Sequence, residues 1–176
     1  MIRSFYIKDL KRICKLACAR QGASRIAMKD VEIIHFKGVV SIYFTNSIFA
    51  GRLEIPSSAL PGIKCDCSFM PDDFLKSCSV KDQCRPEYLR DIHHISISED
   101  LSSKWHLQYE GLKHTIIDSS RLYANFSNCV LSDLFRFAKQ MGFANSCIDI
   151  SDKRPALIQA LDDDRSLEFI VMPIIR

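Results

Sequence analysis

The side chains of this 176-residue chain best suited to metal binding or nucleophilic attack are eight cysteines and five histidines. The cysteines are Cys14, Cys18, Cys65, Cys67, Cys78, Cys84, Cys129 and Cys147, and the histidines are His35, His93, His94, His106 and His114. A tetrahedral zinc site draws paired ligands from two short knuckles. No CxxC pair occurs here. Cys14 and Cys18 are one helical turn apart, Cys65 and Cys67 fall on one face of an expected strand, and the histidines have no matching spacing. The thiols are therefore read as reduced, small and apolar, with no metal or other cofactor expected. His93 and His94 are neighbours on an expected strand and point to opposite faces, so they do not chelate one ion. Asp162-Asp163-Asp164, followed by Arg165-Ser166, reads as a hydrophilic hairpin turn between apolar strands. Asp72 after Pro71 could open a PD…(D/E)xK nuclease motif only by assembling its acid-x-Lys across a loose gap. Six glycines are too few for a phosphate-cradling loop, and neither HExxH nor GxSxG occurs. No catalytic residue emerges, and a metal-dependent nuclease centred on Asp72 is the weakest alternative.

The cations are more informative. Formal charge is +3, but residues 1–60 hold 10 Lys and Arg against 4 Asp and Glu, whereas residues 61–121 hold 8 against 10 and residues 122–176 hold 6 against 7. The segment Lys8–Arg20 has the periodicity of an amphipathic helix, with Leu10, Ile13, Cys14 and Ala17 as its apolar stripe. Lys8, Lys11, Arg12 and Lys15 fall on the opposite side within about 100° of arc. Asp9 is the one intrahelical counter-charge, so phosphate is the natural external partner of that face.

Short strands are expected over 31–36, 39–45 and 49–55, a helix from Met70-Pro71-Asp72-Asp73, and alternating strands at 94–98 and 104–110. A third helix is expected over 131–141, stopping at Gly142, and strands over 147–151, 156–161 and 167–173 close the chain. Helix starts near 8, 71 and 131 are about 60 residues apart, which suggests an internal repeat of strand, helix and about three strands. The expected units are 1–60, 61–121 and 122–176, in an α+β fold. No apolar run approaches the roughly 18 residues of a membrane helix, and Lys8 interrupts the N-terminus before a signal-peptide core forms, so a cytoplasmic location is expected.

The chain end, 148–158 followed by Leu167-Glu168-Phe169-Ile170-Val171-Met172-Pro173-Ile174, resembles the close of a bacterial β-type sliding clamp, the processivity factor of the replicative DNA polymerase. Met172-Pro173-Ile174-Ile175-Arg176 is similar to that family's terminal Met-Pro-Met-Arg-Leu, and Leu122-Tyr123-Ala124-Asn125-Phe126 is similar to its linker, with Ala where Pro is usual. The segment 100–126 also suits a clamp unit. The resemblance implies a DNA-clamp fold of β-α-β-β-β units, with helices inside a ring and antiparallel sheets outside. It implies a non-catalytic accessory protein that encircles duplex DNA without reading sequence, and binds a polymerase and a clamp loader through short linear peptides. Lys8, Lys11, Arg12, Lys15, Arg20, Lys76, Arg136 and Lys139 would then face DNA, and Ile170, Met172, Pro173 and Ile174 would line the peptide groove. Three units per chain and twelve per ring imply a homotetramer, with no membrane partner. The main alternative is a clamp-like module or decoy that does not encircle DNA.

Overall fold

The computed structural model describes residues 7–19, 30–46, 48–60, 63, 65–81, 105–115, 126–149 and 155–174. In chain order these form α1 (Ile7–Cys18), β1 (Val31–Phe36), β2 (Val39–Thr45), β3 (Phe49–Pro56), a 3-10 turn (Ser57–Ala59), β4 (Cys67–Phe69) and α2 (Pro71–Lys81). They continue with α3 (Trp105–Thr115), α4 (Asn128–Gln140), β5 (Cys147–Asp149), β6 (Ala156–Leu161) and β7 (Ser166–Val171). The expected strands at 31–36, 39–45 and 156–161 form with those bounds, because each keeps an apolar period of two between turn residues. Lys37 and Gly38, with φ of 46° and 83°, make the β1–β2 turn, the positive-φ pair a two-residue hairpin requires. Gly142, with φ of 85°, follows α4 as its left-handed cap.

The seven strands among the described residues pair antiparallel in one sheet of order β4-β1-β2-β3-β7-β6-β5. The side-chain period divides it into two unlike faces. On one, Ile33, Val40, Ile42, Phe44, Leu53, Phe169 and Ile158 pack with Leu10 and Ile13 of α1, Phe74 of α2, and Leu134 and Phe137 of α4. The other face carries a smaller cluster, in which Tyr43, Ala50 and Ile170 meet Trp105 and Tyr109 of α3.

Two expectations change. The segment 104–110, read as a strand, supplies the first half of α3. Trp105, Tyr109 and Leu112 also recur at helical spacing; they face the sheet while Leu107, the middle residue of the strand pattern, is 58% exposed. The strand expected around Cys65 and Cys67 begins only at Cys67, and Cys65 is an exposed bend residue. His93, His94, Cys84 and the expected strand at 94–98 lie outside the described residues.

Gly51 sits opposite Phe44, on the β2–β3 ladder, and opposite Phe169, on the β3–β7 ladder. A Cβ at Gly51 would come within 2.5 Å of the Phe44 ring. That ring is held edge-on by Phe49 and Phe169 and tilted against Phe137, so it has no free direction to yield. Gly51→Ala is expected to lower stability by about 1–3 kcal/mol, as for other overpacked cores; a shift of the urea midpoint to lower concentration at unchanged slope checks it.

Candidate nucleic-acid and partner surfaces

Helix α1 turns Asp9, Leu10, Ile13, Cys14 and Ala17 inward. Lys8, Lys11 and Arg12 are half-buried and Lys15 is exposed. The Arg12 guanidinium donates to the Asp9 carboxylate at 2.9 Å, and Asp9 itself is buried. Arg12 is therefore pinned to its own helix, and its charge is partly answered before any ligand arrives. Helix α2 carries two cations against two acids, and α4 two against one. Lys76 lies 3.5 Å from Asp73, and Arg136 lies 3.6 Å from Asp133. Lys139 is exposed near the end of α4, and Arg20 lies outside the described residues. The fold thus puts the cations of α1, α2 and α4 on helices that share one side of the sheet, with α1 supplying the largest excess.

Between α1 and α2 the Cys18 thiol donates to the Asp72 carboxylate at 2.9 Å. Partial desolvation, then that carboxylate, push the Cys18 thiol up to about 12. Burial, then the neighbouring Cys18, Cys78 and Asp72, raise Cys14 well above the usual thiol range. Both stay protonated at neutral pH, which makes them packing and hydrogen-bonding groups rather than nucleophiles. Asp72 is occupied by this contact, and among the described residues no three His, Cys, Asp or Glu side chains are gathered as a metal site.

The opposite face holds an arrangement the sequence reading did not find. Glu32, Tyr43, Arg52, Glu168 and Gln159 are direct cross-strand partners in sequence across β1, β2, β3, β7 and β6, so five polar side chains form one row. Arg52 donates to Glu168 at 2.7 Å, and Gln159 donates to Glu168 at 3.0 Å. Helix α3 lies along the row. The backbone N–H groups of Trp105 and His106 donate to the Glu32 carboxylate at 2.7 and 2.9 Å. Glu110 accepts from Arg52 at 2.9 Å and from the Tyr43 hydroxyl at 3.1 Å, and Lys113 donates to Glu168 at 2.8 Å. A sequence signal existed: Glu32, Arg52 and Glu168 each interrupt an apolar strand, and charges at such positions, Glu32 and Glu168 buried and Arg52 half-buried, need partners.

The terminal strand divides the expected groove residues. Ile170 is fully buried beneath α3, whereas Met172 and Ile174 are 43% and 48% exposed and Pro173 is half-buried. The Met172 N–H donates to the Ile48 carbonyl at 3.0 Å, which fixes the start of this exposed segment. Ile170 is thus a core residue of the docked fold, and the other three form a surface strip beyond the end of β7.

Glu168 is 4% exposed. Burial alone would raise its carboxyl; the Lys113 hydrogen bond, the Arg52 charge and the Gln159 hydrogen bond outweigh it and hold it below the ordinary 4.5. A carboxyl depressed in the fold stabilises it above the unfolded value, and that contribution is lost as pH falls below 4.5 through the folded value. Urea midpoints measured between about pH 6 and about pH 3 should fall with acid, and Glu168→Gln should start roughly 1–3 kcal/mol lower and fall less steeply.

No protein-family model matches the chain, and no curated protein matches it. Fourteen solved chains are similar in structure. One, from the complex described as the C-terminal region of FEN-1 bound to A. fulgidus PCNA, is 10% identical, with a TM-score of 0.52 over 100% of this chain and 99% of that one. The likeness is one of fold alone, and it does not single out the bacterial β-type. The chain has an α+β DNA-clamp-like fold, with α1, α2 and α4 on one face of an antiparallel sheet.

Proposed function

We propose that this protein is a sliding clamp: a non-catalytic factor that encircles duplex DNA and tethers a DNA polymerase. The observation that carries the reading is the placement of the cationic α1 face on the helix-covered side of a clamp-like fold. Lys8, Lys11, Lys15, Lys76, Arg136 and Lys139 meet phosphates there without reading bases, which permits sliding. Units 1–60 and 122–176 each hold one helix followed by three strands and are taken as two repeats; 61–121, which departs from that order through α3, is taken as the third, so four copies in closed head-to-tail contact give the ring. Met172, Pro173 and Ile174 receive short peptides of the polymerase and the loader. The similar chain comes from a complex described as the C-terminal region of FEN-1 bound to A. fulgidus PCNA, which supports partner binding by a fold of this kind. A second reading, a clamp-like module that does not encircle DNA, is favoured by the balanced charge of α2.

Arg12 is best left in place in a test, because a carboxylate there would face buried Asp9. The variant Lys8→Glu, Lys11→Glu and Lys15→Glu should lose retention on circular duplex DNA while keeping its oligomeric state by light scattering. The salt dependence of binding should flatten by about one in slope for each lysine that meets a phosphate. Retention on circular templates that survives the substitutions removes α1 from the DNA side. Equal retention on linear and circular templates favours the non-encircling module. A mass of one or two copies in solution defeats the tetramer.

A further inference from the structure

Helix α3 is held on the sheet by a different kind of contact from the other helices. Its apolar footing is small: Trp105, Tyr109 and the half-buried Leu112 on Tyr43, Ala50, Ile170, Ile34 and Leu157. The rest of its hold is the polar row. His106, Glu110 and Lys113 step along the helix at i, i+4 and i+7, over a rise of about 10 Å, and engage Glu32, Arg52 and Glu168 on β1, β3 and β7. The two observed contacts to its first N–H groups come from Glu32, more than 70 residues away, so this helix end is capped by the sheet. Away from the sheet an 11-residue helix has little stability of its own.

Three features weaken α3 further. Gly111 lies mid-helix and exposed, and a Cβ there would meet nothing within 4 Å, so no packing demand explains a residue that disfavours helix relative to alanine. Leu107 leaves most of its surface in water. Among the described residues the buried indole nitrogen of Trp105 has no hydrogen-bond partner, a cost borne only while α3 is docked. The residues 105–109 also keep a strand's alternation, so the local pattern does not single out the helical state.

We infer that α3 is a displaceable cover, which leaves the Tyr43–Ile170 face of the sheet and unfolds as a unit while the seven described strands stay paired. Its departure uncovers an apolar strip of Ile34, Tyr43, Ala50, Leu157 and Ile170 crossed by the charged row. The inference does not depend on the clamp reading. The two meet at Ile170, which joins Met172, Pro173 and Ile174 as one accessible surface only when α3 is away.

The chain's single tryptophan is Trp105, so its fluorescence reports α3 alone, while far-UV circular dichroism follows the whole fold. In urea, the Trp105 emission shift should precede the dichroism transition, and acrylamide should quench Trp105 in native conditions more than a fully buried indole allows. Gly111→Ala should reduce the α3 opening constant about fivefold, from the helix preference of alanine over glycine. It should move the fluorescence transition towards the dichroism one and leave the latter in place. Hydrogen exchange should show the same fivefold gain in protection over 105–115 and none in β2 or β3. Coincident transitions in the parent protein, or a Gly111→Ala shift shared equally by both signals, would overturn the inference. Neither result bears on DNA retention, which tests the clamp reading separately.

Discussion

The pairing of β3 with β7 joins residues 49–54 to residues 166–171, and both faces of the protein are built across that seam. Without it the described strands would fall into two smaller sheets, β4-β1-β2-β3 and β7-β6-β5, neither able to cover its helices. Loop-closure entropy opposes a contact of such sequence separation, but that cost grows only slowly with length. What offsets it is concentrated at the seam. Gly51 pairs with Phe169 on the face toward α1 and α4, and Arg52 pairs with Glu168 on the face toward α3. A one-residue slip of β7 would turn the Glu168 charge in among the phenylalanines, leave Arg52 without it and move Phe169 to the other face, so the register is fixed by two unlike chemistries at once.

The seam also explains why the two faces behave differently. On the helix-rich face, Phe44, Phe49, Phe137 and Phe169 meet at 5.7–6.3 Å in edge-on and tilted contacts, a packing that is insensitive to salt and pH. On the α3 face the Arg52–Glu168 pair stands at the centre of a network with Lys113, Glu110 and Gln159. Buried charges of this kind contribute little net stability against an apolar alternative, but each is costly to leave alone. They are better at fixing where α3 sits than at holding it there. The fold thus combines a firm apolar half with a half whose cohesion is electrostatic and positional.

Much of this was legible in the sequence wherever the signal was local. The strands 31–36, 39–45 and 156–161 keep their period between turn residues, and the stripe and cations of α1 lie within two turns of each other. The Asp162–Asp164 hairpin turn also forms where expected, tied by Asp162 to Arg165. Legibility failed where the deciding partner was distant. Residues 105–110 satisfy a strand pattern and a helical stripe equally well; the Glu32 carboxylate, supplied by β1, tips the balance to helix. The terminal strand failed in the same way. Ile170 and Met172 look equivalent by alternation, and only the position of α3 makes one core and leaves the other at the surface.

The modest basic charge of α1 is suited to the proposed sliding better than a larger one would be. Each phosphate contact releases counterions and adds affinity that falls with salt, and a protein bound tightly by many such contacts moves slowly. Arg12 is already engaged by Asp9, while α2 is balanced and α4 carries one excess cation. On the proposed reading, the described helices of one copy would then offer only a few weak phosphate contacts. A closed ring does not need them to be strong. Copies held together around the duplex act at high effective concentration, and retention then depends on closure rather than on affinity. The cations need only centre the duplex and keep it from the walls, so the weight of the proposed mechanism falls on the contacts between copies rather than on the contacts with DNA.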